Sequence, residues 1–210
     1  IVVRAAQAGE TMQTLDGTTR QLDAGDLLIC DGERPVALAG VMGGLDSEIR
    51  NDTRDVLIEC AYFQPQAVRR TSRRVGLHTD ASHRFERGVD PRAVHPVLAR
   101  SAQLIADLGG GIALTEAVEE VASESAPLQI ELRAGSVKAL LGVDVPASIC
   151  EGILRGIGCS ILRNTAEGFL VEAPTFRPDL AREVDLIEEV ARIHGFDRIP
   201  AKTPRVRPSD

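Results

Sequence analysis

Acidic side chains supply the first candidates for chemistry. Asp185, Glu188 and Glu189 stand at i, i+3 and i+4, near one face of a helix, and Asp179 lies in the stretch that enters it. Hard oxygen donors with positions left over for water or partner groups suit Mg2+. The competing reading is a solvated acidic face on which Glu188 pairs with Arg192 at i+4. Glu59 differs, as the one acid within the apolar run Val56-Leu57-Ile58-Glu59-Cys60-Ala61. It is either a solvated residue on an edge strand or an acceptor set among apolar groups. His78, His83, Arg84 and Arg87 make a poor metal site, because the arginines repel a cation. Salt bridging among Asp80, Arg84, Glu86 and Arg87 is expected instead. Arg69, Arg70, Arg73 and Arg74 read as an exposed helix face, with contact to a nucleic-acid backbone as the functional alternative.

These residues need elements to hold them. Residues 1–62 read as β structure, with turn signals at Asp16-Gly17 and at Asp31-Gly32. Gly43-Gly44 follows a strand and marks a bend or a close backbone approach. Residues 56–61 are apolar on both faces, so a central strand is expected there. Residues 65–75 read as a helix that starts at Pro65 and stops before Gly76. Asp90-Pro91 opens another, with Val94, Val97, Leu98, Ala102, Ile105 and Leu108 as its apolar face and Gly109-Gly110-Gly111 as its end. Small, acidic and Ser-rich residues at 119–127 then form the expected linker. A second unit at 128–200 reads as strand, two short helices, hairpin and a final helix at 183–194, an α+β domain of winged-helix character. The fold class is therefore α+β, with a mixed sheet in the first unit, residues 1–118. Residues 201–210 are Pro-rich and read as a further linker.

Composition narrows the function. A net charge of −7 excludes a chain that coats nucleic acid by bulk attraction, and 3% aromatics with no Trp exclude a stacking platform. Cys30, Cys60, Cys150 and Cys159 form no C-x-x-C pair, which disfavours zinc and suits reduced thiols in a cytoplasmic protein. No apolar stretch approaches membrane-spanning length. The start, Ile1-Val2-Val3-Arg4, has neither an initiator Met nor a signal-peptide layout, so the chain is expected to begin within a longer protein.

Three stretches are specific enough to suggest kinship. Leu38-Ala39-Gly40-Val41-Met42-Gly43-Gly44 and Gly76-Leu77-His78-Thr79-Asp80-Ala81-Ser82-His83-Arg84-Phe85-Glu86-Arg87-Gly88-Val89-Asp90-Pro91 resemble the B3/B4 editing domain of bacterial phenylalanyl-tRNA synthetase β subunits. Arg177-Pro178-Asp179, followed by residues 183–196, resembles the end of the next domain, B5. The resemblance implies hydrolysis of tyrosine wrongly esterified to tRNA(Phe). A synthetic pocket shaped for Phe rejects the added hydroxyl of Tyr weakly, so a second site that binds this hydroxyl is useful. The family's carboxylate for that purpose falls on Glu59, its pocket glycine on Gly43, and the opposite wall on Thr79 and Ala81. A Pro and a His that the family also uses, in a Pro-x-His-Ala-Phe-Asp motif, would precede Ile1. The expectation is thus most of a pocket without one wall.

For the second unit, the resemblance implies a Mg2+ site shared with the α subunit on Asp179, Asp185, Glu188 and Glu189, and support of an α2β2 assembly. ATP belongs to the intact ligase and not to this stretch of chain. Two other readings remain in view. A non-catalytic nucleic-acid or protein module is opposed by the net acidic character of residues 183–194, which suits no major groove. A free-standing aminoacyl-tRNA deacylase is opposed by the attached B5-like unit.

Overall fold

The computed structural model describes residues 1–123 and 126–200. The chain divides into two compact units, Ile1–Val118 and Glu119–Asp210. The linker expected at 201–210 lies outside the described residues, as do residues 124 and 125 of the one expected at 119–127.

Short connections make neighbouring strands antiparallel, and the first unit is built this way. β1 (Val2–Ala5), β4 (Leu27–Cys30), β5 (Pro35–Leu38) and β6 (Met42–Gly43) form one sheet in the order β1-β4-β5-β6. β2 (Thr11–Gln13) and β3 (Thr19–Gln21) form a separate hairpin, tied to the sheet by a bridge between Thr14 and Gly44. Pairing is antiparallel throughout the described strands. The α+β class expected from the sequence is present, but the sheet is not mixed.

Leu28, Ile29 and Cys30 of β4 and Leu38 of β5 are buried with Val41, Phe63, Val68 and Leu77. Burying side chains of this size contributes about 1.5–3 kcal/mol each. Val68 belongs to α1 (Pro65–Val75), which has Pro in its first turn and ends on Gly76 at φ 66°. That left-handed φ is open to glycine and costly for other residues. α2 (Asp80–Phe85) follows. Asp90 opens a single 3-10 turn, accepting from the N–H of Arg92 at 2.9 Å, and α3 (Val94–Gly109) begins only after that turn.

One expectation fails. Residues 54–64 form no strand, and Val56 and Leu57 are 46% and 77% exposed. An apolar run specifies burial, whereas a strand also needs a neighbour for its backbone hydrogen bonds. Neither sheet of the first unit extends to this run, so Glu59 sits on irregular chain rather than on a central strand.

The second unit follows its sequence closely. β7 (Gln129–Arg133) alternates exposed and buried residues, which sends Ile130 and Leu132 inward. α4 (Ser136–Leu141) and α5 (Ala147–Gly156) lead into the hairpin of β8 (Ser160–Thr165) and β9 (Gly168–Glu172). The sheet order is β7-β9-β8. α6 (Glu183–His194) closes the core, placing Leu186, Ile187 and Val190 with Leu132, Leu154, Phe169 and Val171.

Candidate functional site

The stretches singled out in the first unit meet around Gly40. Its φ is +68°, and a Cβ built there would lie 3.0 Å from Val68, 3.1 Å from Phe63 and 3.4 Å from Phe85. Phe63 and Phe85 pack with ring centroids 5.1 Å apart, tilted by 54°. Phe63 follows the Glu59 segment and Phe85 ends α2, so one aromatic pair joins these two segments beside the Leu38–Gly44 stretch. Gly40 and its aromatic partners were not picked out from sequence. The only available signal was a glycine three residues before the Gly43-Gly44 pair.

Thr79 makes the polar link. Its hydroxyl donates to the carbonyl of Val41 at 2.7 Å and accepts from the N–H of Ser82 at 3.0 Å. Ser82, which is buried, accepts from the N–H of Thr79 at 2.9 Å and completes a capping box for α2. The Thr79 proton is therefore already committed to the backbone leading into β6. Thr79 acts as a clamp between the glycine stretch and α2. Ala81, two residues along, is exposed.

The two glycines of the pair differ. A Cβ at Gly43 would meet only the Leu15 side chain, at 3.2 Å, whereas at Gly44 it would lie 2.9 Å from the Val36 carbonyl oxygen and 2.8 Å from Met12. Side chains yield and backbone does not, so Gly44 is the stricter position. A shallow concavity of about 140 Å³ beside it is lined by Met12, Arg34, Val36, Gly44 and Ser47, and it includes none of Gly43, Glu59, Thr79 or Ala81.

Glu59 has no hydrogen-bond or ion-pair partner among the described residues. Its surface is exposed, yet the surrounding protein removes enough water to push its carboxyl upward from the ordinary value. The adjacent Cys60 thiol donates to the Val94 carbonyl at 3.4 Å, anchoring this segment to the start of α3. An unpaired, partly desolvated carboxylate is a strong acceptor for a hydroxyl donor.

The acidic group of the second unit is arranged differently from expectation. Arg177 pairs with Asp179 at 2.6 Å and with Glu189 at 3.2 Å, and Arg192 pairs with Glu189 at 2.6 Å. These arginines hold the buried Glu189 carboxyl down to about 2, Arg192 more strongly than Arg177. Asp185 accepts from the backbone N–H groups of Ala181 and Arg182 at 3.0 and 2.7 Å, capping α6, and pairs with Arg182 at 3.0 Å. Glu188 is exposed. Helical spacing put three carboxylates near one face, but guanidinium groups from the entering loop and from α6 itself now occupy Asp185 and Glu189. Among the described residues no three acidic, His or Cys side chains converge to hold a metal, and the set does not fit Mg2+ as it stands.

Residues 1–110 match the family model of the B3/4 domain, which is more than half of the chain. The chain belongs to the B3/4 domain family. Residues 130–196 match the tRNA synthetase B5 domain, so B3/4 and B5 follow one another in the order the motifs implied. The chain is similar to the phenylalanine–tRNA ligase β subunit of Syntrophus aciditrophicus, 47% identical over 207 residues that cover 97% of this chain and 26% of that protein. It is 47% identical to the β subunit of Geobacter sulfurreducens over 99% of this chain and 26% of the relative. The Salinibacter ruber β subunit is 48% identical over 95% of this chain and 24% of its own length. The chain thus spans about a quarter of the length of the curated relatives it matches. No helix among the described residues is long and apolar enough to cross a membrane.

Proposed function

We propose that the B3/4 unit takes part in hydrolysing tyrosine misattached to tRNA(Phe), within a phenylalanine–tRNA ligase. The observation that carries this reading is Glu59, an exposed but partly desolvated carboxylate without a partner among the described residues, in a chain whose relatives are phenylalanine–tRNA ligase β subunits. A phenol hydroxyl donates to such a group, and a Phe side chain leaves it unpaired, a difference of roughly 1–3 kcal/mol. Gly43 gives the substrate room beside the strand. Thr79, with its proton engaged, holds the glycine backbone against α2, and Ala81 offers a small surface near the ester. Water supplies the nucleophile, and no residue of this chain is assigned as its base.

The B5 unit is proposed to support assembly with the α subunit into an α2β2 enzyme, with the exposed Glu188 at the acidic edge of α6 as a contact. ATP and Mg2+ are cofactors of that intact enzyme, and no step is routed through them here. The cytoplasm, where tRNA is charged, is the proposed location.

Deacylation of Tyr-tRNA(Phe) and Phe-tRNA(Phe) by the intact heteromer tests the reading. Glu59→Ala is expected to lower discrimination between the two esters by about tenfold to a hundredfold. Glu59→Gln should fall in between, since an uncharged acceptor makes the weaker bond. Unchanged rate and selectivity in Glu59→Ala would show that the residue has no part in the sieve.

A further inference from the structure

α1 carries four arginines, and they do not behave alike. Arg74 pairs with the buried Asp26 and donates to the Gln21 carbonyl at 3.1 Å, and Arg20 donates to the Val75 carbonyl at 2.9 Å. These contacts fix the C-terminal end of α1 against β3. Arg69, Arg70 and Arg73 are exposed and have no hydrogen bond or ion pair among the described residues. Val68, Thr71 and Ser72 form the buried side of the helix, so helical spacing puts Gln66, Arg69, Arg70 and Arg73 together on the opposite side. Elsewhere Arg4, Arg20, Arg133, Arg177, Arg182 and Arg192 each engage a carboxylate. In a chain of net charge −7, residues 65–87 hold six arginines against Asp80 and Glu86 alone.

We propose that this outward face of α1 binds the phosphodiester backbone of an RNA strand. Arg69 and Arg73 are one turn apart, about 6 Å along the axis, and like charges at this spacing weaken a helix slightly. No acid among the described residues pairs with them, which leaves the face complementary to a polyanion. Planar guanidinium forks match phosphate oxygens in pairs, which an ammonium group does not. Position supports the assignment as well. α1 begins directly after the Glu59–Phe63 segment and ends at Gly76, where the Thr79 stretch begins. A strand held on α1 is thus held by the element that joins both sides of the proposed sieve. The inference rests on the preceding reading only for the kind of polyanion.

Binding of an uncharged tRNA transcript to the chain, followed by fluorescence anisotropy across a KCl series, tests it. Replacing Arg69, Arg70 and Arg73 together by Gln is expected to reduce the slope of log K against log salt by about 2 to 3, since each phosphate contact contributes roughly 0.7–0.9. Gln66→Lys adds a cation to the same face and should steepen the slope by about 1. Arg163→Gln, which removes a cation from the second unit, serves as the reference and should leave it unchanged. If the triple variant fails to fold, judged by circular dichroism, Gln66→Lys and Arg73→Gln alone carry the decision. An unaltered slope in these variants overturns the proposal. So does equal displacement of the RNA by polyglutamate at matched charge, which would make this a contact for acidic protein. Uncharged RNA carries no ester, so failure here leaves the Glu59 reading standing, and failure at Glu59 leaves this one standing.

Discussion

Two amphipathic helices of this chain meet different fates. α6 has 12 residues and buries five of them, Leu186, Ile187, Glu189, Val190 and Ala191. α3 is longer, at 16 residues, and buries none, leaving Val97, Ile105 and Leu108 in solvent. Both have apolar residues at helical spacing, and both end at a glycine. Periodicity and capping therefore made both helices, but only α6 found a complementary surface among the described residues. The same contrast separates β7, whose alternation is matched by a sheet and a core, from residues 54–64, whose apolar run has neither.

The comparison breaks most visibly in the second unit's core. Leu186→Ala, at a fully buried position, should cost about 2–5 kcal/mol in urea unfolding, because the cavity cannot collapse completely. The first unit has its own buried anchor in Asp26, which is 2% exposed and accepts from Thr71 at 2.8 Å as well as pairing with Arg74. Asp26→Ala should cost about 2–3 kcal/mol, below a fully enclosed ion pair because Arg74 is part-exposed, and adding Arg74→Gln should cost less than additively. Glycines come next. Gly40→Ala combines a left-handed backbone with contacts to Val68 and Phe63 and should cost about 1–3 kcal/mol, while Gly43→Ala, facing only the exposed Leu15 side chain, should cost under about 1 kcal/mol. Equal losses at the two positions would show that Gly43 is as confined as Gly40.

Acid separates the units by sign. The Glu189 carboxyl is held near 2, so its contribution to the second unit is present above its unfolded value of 4.5 and is lost as pH falls from there toward 2. Glu59 is shifted upward, so folding of the first unit favours its protonated form and gains relative to neutral pH as Glu59 protonates. Unit-resolved unfolding monitored by NMR between pH 7 and 3 should show the second unit losing the Glu189 contribution, and Glu189→Gln should flatten that loss. The smallest effect is expected on α3. Leu108, 86% exposed, should tolerate Ser within about 0.5 kcal/mol. A cost approaching that of Leu186→Ala would mean that the face of α3 is covered in solution.

The sequence alone settled what depends on neighbours along the chain. The start of α1 was legible from the Pro in its first turn, and the stops of α1, α4 and α6 from the Gly beyond each last turn, because both signals act locally. The motif stretches were legible for the same reason, as strings of residue types, and they led to the domain families that the chain matches. Tertiary structure decided what depends on which surfaces meet. Residues 54–64 look like a strand to any local rule, yet a strand exists only where another backbone pairs with it. Asp185, Glu188 and Glu189 look like a ligand set at helical spacing, yet Arg177 reaches Glu189 from twelve residues away and Arg182 takes Asp185. Gly40 shows its constraint only when Phe63, Val68 and Phe85 arrive around it. Spacing along a helix fixes which side chains share a face; it cannot say which of them a distant cation or ring will claim.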